Sequence, residues 1–491
     1  MKEYSPRLRT ALVLTGTGTS GAYHAGALRA LEESGVKVDL VVGSGVGTIA
    51  AAYAAVAGGP KLYGPDGFWA RVGWHSFYRL RAPVRIAILL VGCSFGVFLL
   101  PLGLGLVAGL LSPVLLIVDL VAPGLPSRLW AAAGGLPAAL GAPYLAALAV
   151  PVFLLSILAV AWLARTWMRD RRRFLESFES FVDARPAADH LARGLWAVTR
   201  GAAPGRRPDA AELGRRWTAL AVENLGQPGF REAVLRTADL DAGEPLSFVL
   251  LGDRYRSGFI AARRRGRSSG KEGLPGAVDL RGEGHDALLF DAALAGLLPP
   301  LAAPVRRVSF PRGGVHGGET HRLADATLAG GCGLSEAIAA GAEQVVLVTA
   351  VPESASPPPR RRGHRALADG ALAVLERQAV EADLRGAERI NRMVETLGHR
   401  TSDGSRAWED PATGRVYREV PLYVIRPERR FFGPLELDGA QDPSTEVLTT
   451  TADLVEQGYR DAYRLFVEPV VGAAPEPRGR AVPEESQAVE L

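Results

Sequence analysis

Apolar and polar positions alternate along the first fifty residues in a way that predicts two strand–loop–helix units. Ala11-Leu12-Val13-Leu14 reads as a short buried strand and Thr15 to Gly21 as a glycine loop. Ala22 to Leu31 follows as a helix, with Ser34-Gly35 as its stop signal. Val38 to Val42 reads as a second strand, Gly43 to Gly47 as a tight turn and Thr48 to Val56 as a second helix, rich in small residues. Further on, the pattern predicts a helix over Gly333–Ala340, a strand over Glu343–Thr349, a long charged helix over Ala366–Leu397, a strand over Val420–Ile425 and a closing helix over Thr450–Phe466. Strands alternating with helices imply an α/β fold with a mostly parallel sheet. Ala473 to Leu491, rich in Pro and Glu, reads as disordered.

Two stretches break this pattern. Ile86 to Val118 and Leu129 to Ala164 contain no charged residue. At about 1.5 Å rise per residue, each is longer than the roughly 30 Å hydrocarbon core of a bilayer requires. Prolines interrupt both, so each is one kinked span or a span with a re-entrant piece. A buried soluble hairpin is the competing reading. Arg79, Arg81 and Arg85 precede the pair and Arg165, Arg169, Arg171, Arg172 and Arg173 follow it, whereas the turn between holds only Asp119 and Arg128. The charge bias puts both outer ends in the cytoplasm, with two or four crossings. Trp130, Trp162 and Trp167 sit near the ends, where interfacial aromatics belong. Met1 to Thr10 is too polar for a cleavable signal peptide.

The chemistry lies in the glycines. A strand, a tight turn and a helix form the nucleophile elbow of a serine hydrolase when the turn reads G-x-S-x-G. Here it reads Gly43-Ser44-Gly45-Val46-Gly47, with glycine at the central position and the serine one place early. The loop from Gly16 would aim backbone N–H groups, aided by the following helix N-terminus, at an oxyanion or a phosphate. Gly16-x-Gly18-x-x-Gly21 also fits a dinucleotide fingerprint, but that motif wants an acidic residue ending the second strand, and Asp39 begins it. Glycines that merely turn the chain are the plainest alternative.

Together these blocks resemble the patatin-like phospholipases. The resemblance rests on Gly16 to Gly26, on Gly43 to Gly47 and on Leu323-Ala324-Asp325-Ala326-Thr327, in that order. Arg236 to Pro245 and Leu294 to Pro300 support it. It implies a three-layer α/β fold with a mostly parallel central sheet and a Ser–Asp dyad. Its nucleophile position is Gly45 and its base Asp325, with oxyanion donors at Gly16, Thr17 and Gly18. Three positions depart from the family: Gly45 for the serine, Asp325-Ala326-Thr327 for Asp-Gly-Gly or Asp-Gly-Ala, and Ser20 for a basic residue. A non-catalytic relative is implied, and Gly45→Ser should restore a hydroxyl opposite Asp325. Ser44 would act as nucleophile only if the turn were rearranged; otherwise it hydrogen-bonds its own turn. The resemblance implies membrane lipids, as phospholipid or lysophospholipid esters, as the partners.

The domain organisation follows: residues 1–80 carry the loop and elbow, 81–172 a transmembrane hairpin, 173–470 the aspartate half and 471–491 a tail. The protein should be a multi-pass membrane protein with its α/β domain cytoplasmic. Arg263 to Arg267 and Arg360 to Arg362 are basic loops for anionic headgroups or plain solvated surface. A net charge of +4 gives no reason to expect nucleic acid. Cys93 and Cys332 define neither a disulfide framework nor a metal site. His316 and His321 share a glycine-rich stretch without a metal-motif spacing, so neither metal nor cofactor is expected. A non-enzymatic membrane scaffold is a further reading, and the sequence does not identify a protein partner.

Overall fold

The computed structural model describes residues 4–81 except 71, scattered positions from 85 to 165, and residues 182–472. In the last range it leaves out 202–204, 269–275, 300–302, 314–315, 354–363, 402–405, 412–415, 430–432, 437, 439 and 442–447. Two compact units are present: Met1–Arg79 with Ala184–Leu491, and Leu80–Asp183. The boundaries expected from sequence were 80/81 and 172/173. Most of the predicted membrane hairpin and the whole tail from Ala473 lie outside the described residues. Among the described residues no helix is long and apolar enough to cross a membrane. In the smaller unit Leu89, Leu110, Leu111, Val114 and Ile117 are exposed.

The larger unit is built on a nine-stranded sheet. Its strands are β1 (Thr10–Gly16), β2 (Leu40–Gly45), β3 (Glu232–Asp239), β4 (Glu244–Leu250), β5 (Gly276–Asp279), β6 (Arg306–Ser309), β7 (Thr320–Asp325), β8 (Gln344–Thr349) and β9 (Leu422–Ile425). The order is β9-β8-β1-β2-β3-β4-β5, with β9, β8, β1, β2 and β3 mutually parallel. Continuous apolar runs such as Leu12-Val13-Leu14 and Leu40-Val41-Val42 suit these strands because helices cover both faces.

The layers follow from the period of two along each strand. Val13 and Val42 face a cluster that includes Phe259 of α5 (Asp253–Ser268), Leu334 and Ala337 of α7 (Leu334–Ala339), and Val380 and Leu384 of α8 (His364–Leu397). Against the other face lie α2 (Gly47–Ala54) and α6 (Leu289–Leu297), with α1 (Ser20–Glu33), α3 (Arg185–Thr199), α4 (Ala210–Glu223) and α9 (Thr451–Ala462) around them. This is the expected three-layer α/β architecture. Gly26, which the sequence grouped with the glycine loop, serves a helix crossing instead. A Cβ on Gly26 would strike the Val455 carbonyl of α9, as one on Gly458 would strike that of Tyr23. The closing helix stops at Ala462, short of the expected Phe466, and continues through Val471 in wider π-type turns that hold Pro469.

One feature of the topology positions the site. β2 runs parallel to β3 and occupies its edge from Glu232 to Arg236. β7 runs antiparallel and takes over the same edge from Thr237 to Asp239, pairing Asp325 with Thr237. The C-terminal ends of β2 and β7 therefore meet head to head, since Ser44 pairs with Arg236 and Asp325 with the next residue along.

Candidate active site

β2 extends through Gly45, so the turn is sharper than the sequence suggested and begins only there. Gly45 has φ +61°, the left-handed region in which a side chain is strained. Its carbonyl accepts from Thr48 Oγ1 at 2.8 Å, and the next amide, Val46 N, donates to the Gly16 carbonyl at 2.9 Å. α6 presses on the elbow through Gly296, where a Cβ would collide with the Gly45 carbonyl and with Thr48 Oγ1.

Gly45 and Asp325 are neighbours. A Cβ on Gly45 would stand 2.6 Å from Asp325 Oδ1, and closer still to the Gly16 carbonyl. The sequence expectation that Gly45→Ser simply returns a hydroxyl opposite the aspartate is corrected by this contact. The position is opposite Asp325, but it is already filled to contact by the carboxylate and a backbone carbonyl.

Asp325 is fully buried. Its Oδ1 accepts from Thr327 N at 2.8 Å and Thr327 Oγ1 at 2.7 Å. Thr327, read from sequence as a weakening departure, is thus the residue that holds the aspartate. Asp325 Oδ2 and Thr17 Oγ1 are both buried and near one another, but not aligned as a hydrogen bond, and neither has another partner among the described residues. Burial pushes the Asp325 carboxyl up to about 7. The Thr327 hydrogen bonds and the nearby Thr17 hydroxyl pull it down, and Glu376 adds to the rise.

The glycine loop sits beside this pair. Gly18 has φ +57°, and a Cβ there would collide with the Pro434 carbonyl. That carbonyl accepts from Thr19 N at 3.1 Å, while Thr19 Oγ1 donates to the Gly433 carbonyl at 3.0 Å. Leu435 N in turn donates to Asp369 Oδ1 of α8 at 2.7 Å. The segment at 433–435 therefore lies over the loop and takes up one of its amides. Ser20, in the family's basic position, donates to the buried Glu376 at 3.1 Å. An acidic side chain therefore lies beside the glycine loop. His24 Nε2 donates to the Thr15 carbonyl at 3.0 Å and steadies the loop from α1. Burial lowers its pKa to about 4, so it stays neutral at physiological pH.

Ser44 points elsewhere. Its Oγ accepts from Arg236 Nη1 at 3.4 Å, and it is Arg236, rather than its own turn, that engages the hydroxyl. Arg236 also donates to the carbonyls of Gly330 and Gly331 and pairs at 3.3 Å with Glu336, itself 1% exposed. Adjacent residues of a strand face opposite sides. Ser44 accordingly lies toward α7, near Gly333, while Gly45 faces Asp325.

At the far end of β7, His316 and His321 converge on Asp239, a grouping their spacing in sequence did not reveal. Burial disfavours charge on His321, but the Glu319 hydrogen bond and the Asp239 carboxylate outweigh it and raise its pKa.

A strand-to-helix elbow, a glycine loop and a buried carboxylate thus meet at one strand junction, with glycine at the centre of the elbow. The chain belongs to the patatin-like phospholipase family, whose family model matches residues 12–379. A solved structure similar to it is VipD from Legionella pneumophila, at 12% identity and a TM-score of 0.30, over 94% of this chain and 67% of that one. That likeness is too loose to argue from. No curated protein matches the chain.

Proposed function

We propose that this protein is a lipid-directed, catalytically impaired member of its family, which binds acyl esters of phospholipid or lysophospholipid without turning them over. The observation that carries the reading is the pairing of Gly45 with Asp325: the carboxyl is kept, buried and perturbed, and the elbow position that faces it carries no hydroxyl for it to activate. Supporting it are Ser20–Glu376 beside the glycine loop and the Gly433–Leu435 segment, which abuts Gly18 and takes up the Thr19 amide next to the oxyanion donors that the resemblance implies at Gly16, Thr17 and Gly18. The alternative, an active serine acyl hydrolase using Ser44 and Asp325, requires the Ser44 hydroxyl to leave Arg236 and cross to the other face of β2.

The same reading includes membrane attachment through residues 81–172, with the α/β unit on the cytoplasmic side. The uncharged stretches, the flanking arginines and the outward-facing Leu110, Val114 and Ile117 support it. A purely structural membrane scaffold is the remaining reading.

A serine-directed fluorophosphonate probe should leave the wild-type chain unlabelled, while a fluorescent lysophospholipid binds it saturably. Labelling lost in Ser44→Ala would establish the hydrolase alternative. Absence of both labelling and lipid binding would leave the scaffold. A reporter fused near Gly124 should read extracytoplasmic, and recovery of the chain wholly in the soluble fraction would refute the attachment.

A further inference from the structure

We propose that Asp239, His316 and His321 form a binding site for one divalent first-row transition ion of the zinc type, separate from the elbow. The donors are Asp239 Oδ2, His316 Nε2 and His321 Nδ1. Oδ2 lies 3.1 Å from the first imidazole nitrogen and 2.8 Å from the second. All three donor atoms fall within 4.8 Å of one another. In a tetrahedral zinc site with bonds of about 2.0–2.1 Å, neighbouring donors stand roughly 3.4 Å apart. The two spacings at Asp239 Oδ2 need to open by about 0.3 and 0.6 Å to admit an ion.

The surroundings are those of a built site. His321 Nε2 lies 3.1 Å from Glu319 Oε2, so both ring nitrogens face carboxylate oxygens. A protonated ring satisfies both with its two N–H groups, and a metal ion can take the place of the Nδ1 proton. A cation on Nδ1 leaves the N–H on Nε2 for Glu319, which is the carboxylate–histidine–metal relay that orients metal-bound histidines. Asp239 Oδ1 accepts from Asp241 N and Ala242 N at 3.0 and 3.1 Å, which aims Oδ2 at the two rings. The side chains of Asp239 and His316 are 2% and 5% exposed, and Phe310 packs against both imidazoles, forming an apolar wall on one side. Two imidazoles and one carboxylate suit zinc and its neighbours better than calcium or magnesium, which prefer all-oxygen shells. Three protein ligands leave a fourth position for an exogenous ligand.

The site is distinct from the elbow in chemistry and in place. His321 and Asp325 lie on one face of β7, four residues and so about 13 Å apart. An ion here would tie the chain around His316 to the ends of β3 and β7 without touching the reacting position.

The untagged full-length chain, stripped with a chelator, is titrated with Zn²⁺ against a chromogenic indicator. One zinc per chain is expected, with a thermal midpoint raised by the metal. The double variant His316→Ala, His321→Ala should lose both responses. Glu319→Gln, which leaves the three donors in place, should weaken binding about 10- to 100-fold. Co²⁺ in place of Zn²⁺ should give the intense visible absorption of four-coordinate cobalt. If the alanine variant does not fold, His316→Gln carries the same comparison at similar volume. A wild-type chain that binds no zinc at micromolar concentrations, or one whose zinc uptake is unchanged in the folded variants, overturns the proposal; the cluster is then an ion-paired hydrogen-bond network.

Discussion

Replacing Asp325 by asparagine should stabilise this protein, and by an amount that depends on pH. The native carboxyl holds its proton up to about pH 7, whereas an unfolded aspartate releases it near 3.9. Between those values the native state binds more protons than the unfolded one, so the stability that Asp325 permits falls as pH rises, and the loss is complete a little above 7. Three pH units at about 1.4 kcal/mol each give a penalty on the order of 4 kcal/mol at pH 8 and almost none at pH 4. Asparagine keeps the acceptor that Thr327 N and Thr327 Oγ1 use, and its amide can donate to the buried, unpartnered Thr17 hydroxyl. Urea unfolding at pH 5 and pH 8, followed through the buried Trp69 and Trp217, measures the difference. The Asp325→Asn advantage should grow by about 3 kcal/mol between the two, since about 1.5 kcal/mol is already present at pH 5. A variant less stable than wild type at pH 8, or an advantage that ignores pH, would refute the reasoning. It would mean that the carboxylate has partners that make its charge welcome.

Gly45→Ser should destabilise by about 1–3 kcal/mol in denaturant titrations, because a side chain at φ +61° must also displace Asp325 or the Gly16 carbonyl. Any ester hydrolysis it gains should vanish in the double variant with Asp325→Ala. Ser44→Ala should change stability by less than about 1.5 kcal/mol, since it removes one 3.4 Å hydrogen bond while Arg236 keeps its carbonyl acceptors. Arg236→Met should cost about 3–5 kcal/mol by leaving the buried Glu336 without its cation, read as a lowered urea midpoint. Gly296→Ala should cost about 1–3 kcal/mol by driving α6 off the elbow, detectable by thermal unfolding.

The parts of the site legible in the sequence are those whose signal is local. An apolar run, a glycine at a positive φ and a small-residue helix fix the elbow at Gly45, and strict alternation already separates Ser44 from its neighbour. Asp325 was found through its motif, but its proximity to Gly45 depends on two strands sharing the edge of β3, which no local pattern encodes. Thr327 looked like a defect because the motif compares residue types; in space its amide and hydroxyl both serve Asp325. The Ser20–Glu376 and Thr19–Pro434 bonds join segments more than 350 residues apart, as do many of the contacts that close the loop. The histidine cluster escaped notice for a related reason: Asp239 belongs to another strand, 82 positions from His321.

The head-to-head meeting of β2 and β7 also sets an order of events during synthesis. Gly45 and Asp325 are 280 residues apart (325 − 45), so at roughly 5–20 residues per second the elbow waits about 14–56 s for its aspartate. The uncharged stretches between 86 and 164 leave the ribosome early in that interval. β3 arrives only with Glu232, so until then the edge of β2 that pairs with it has no partner strand. The first half of this domain must therefore persist as an open, apolar half-sheet while the intervening chain finds its own place. Folding of the newborn chain is consequently gated from its far end, and truncations before residue 325 should yield half-sheets prone to association rather than a smaller working domain.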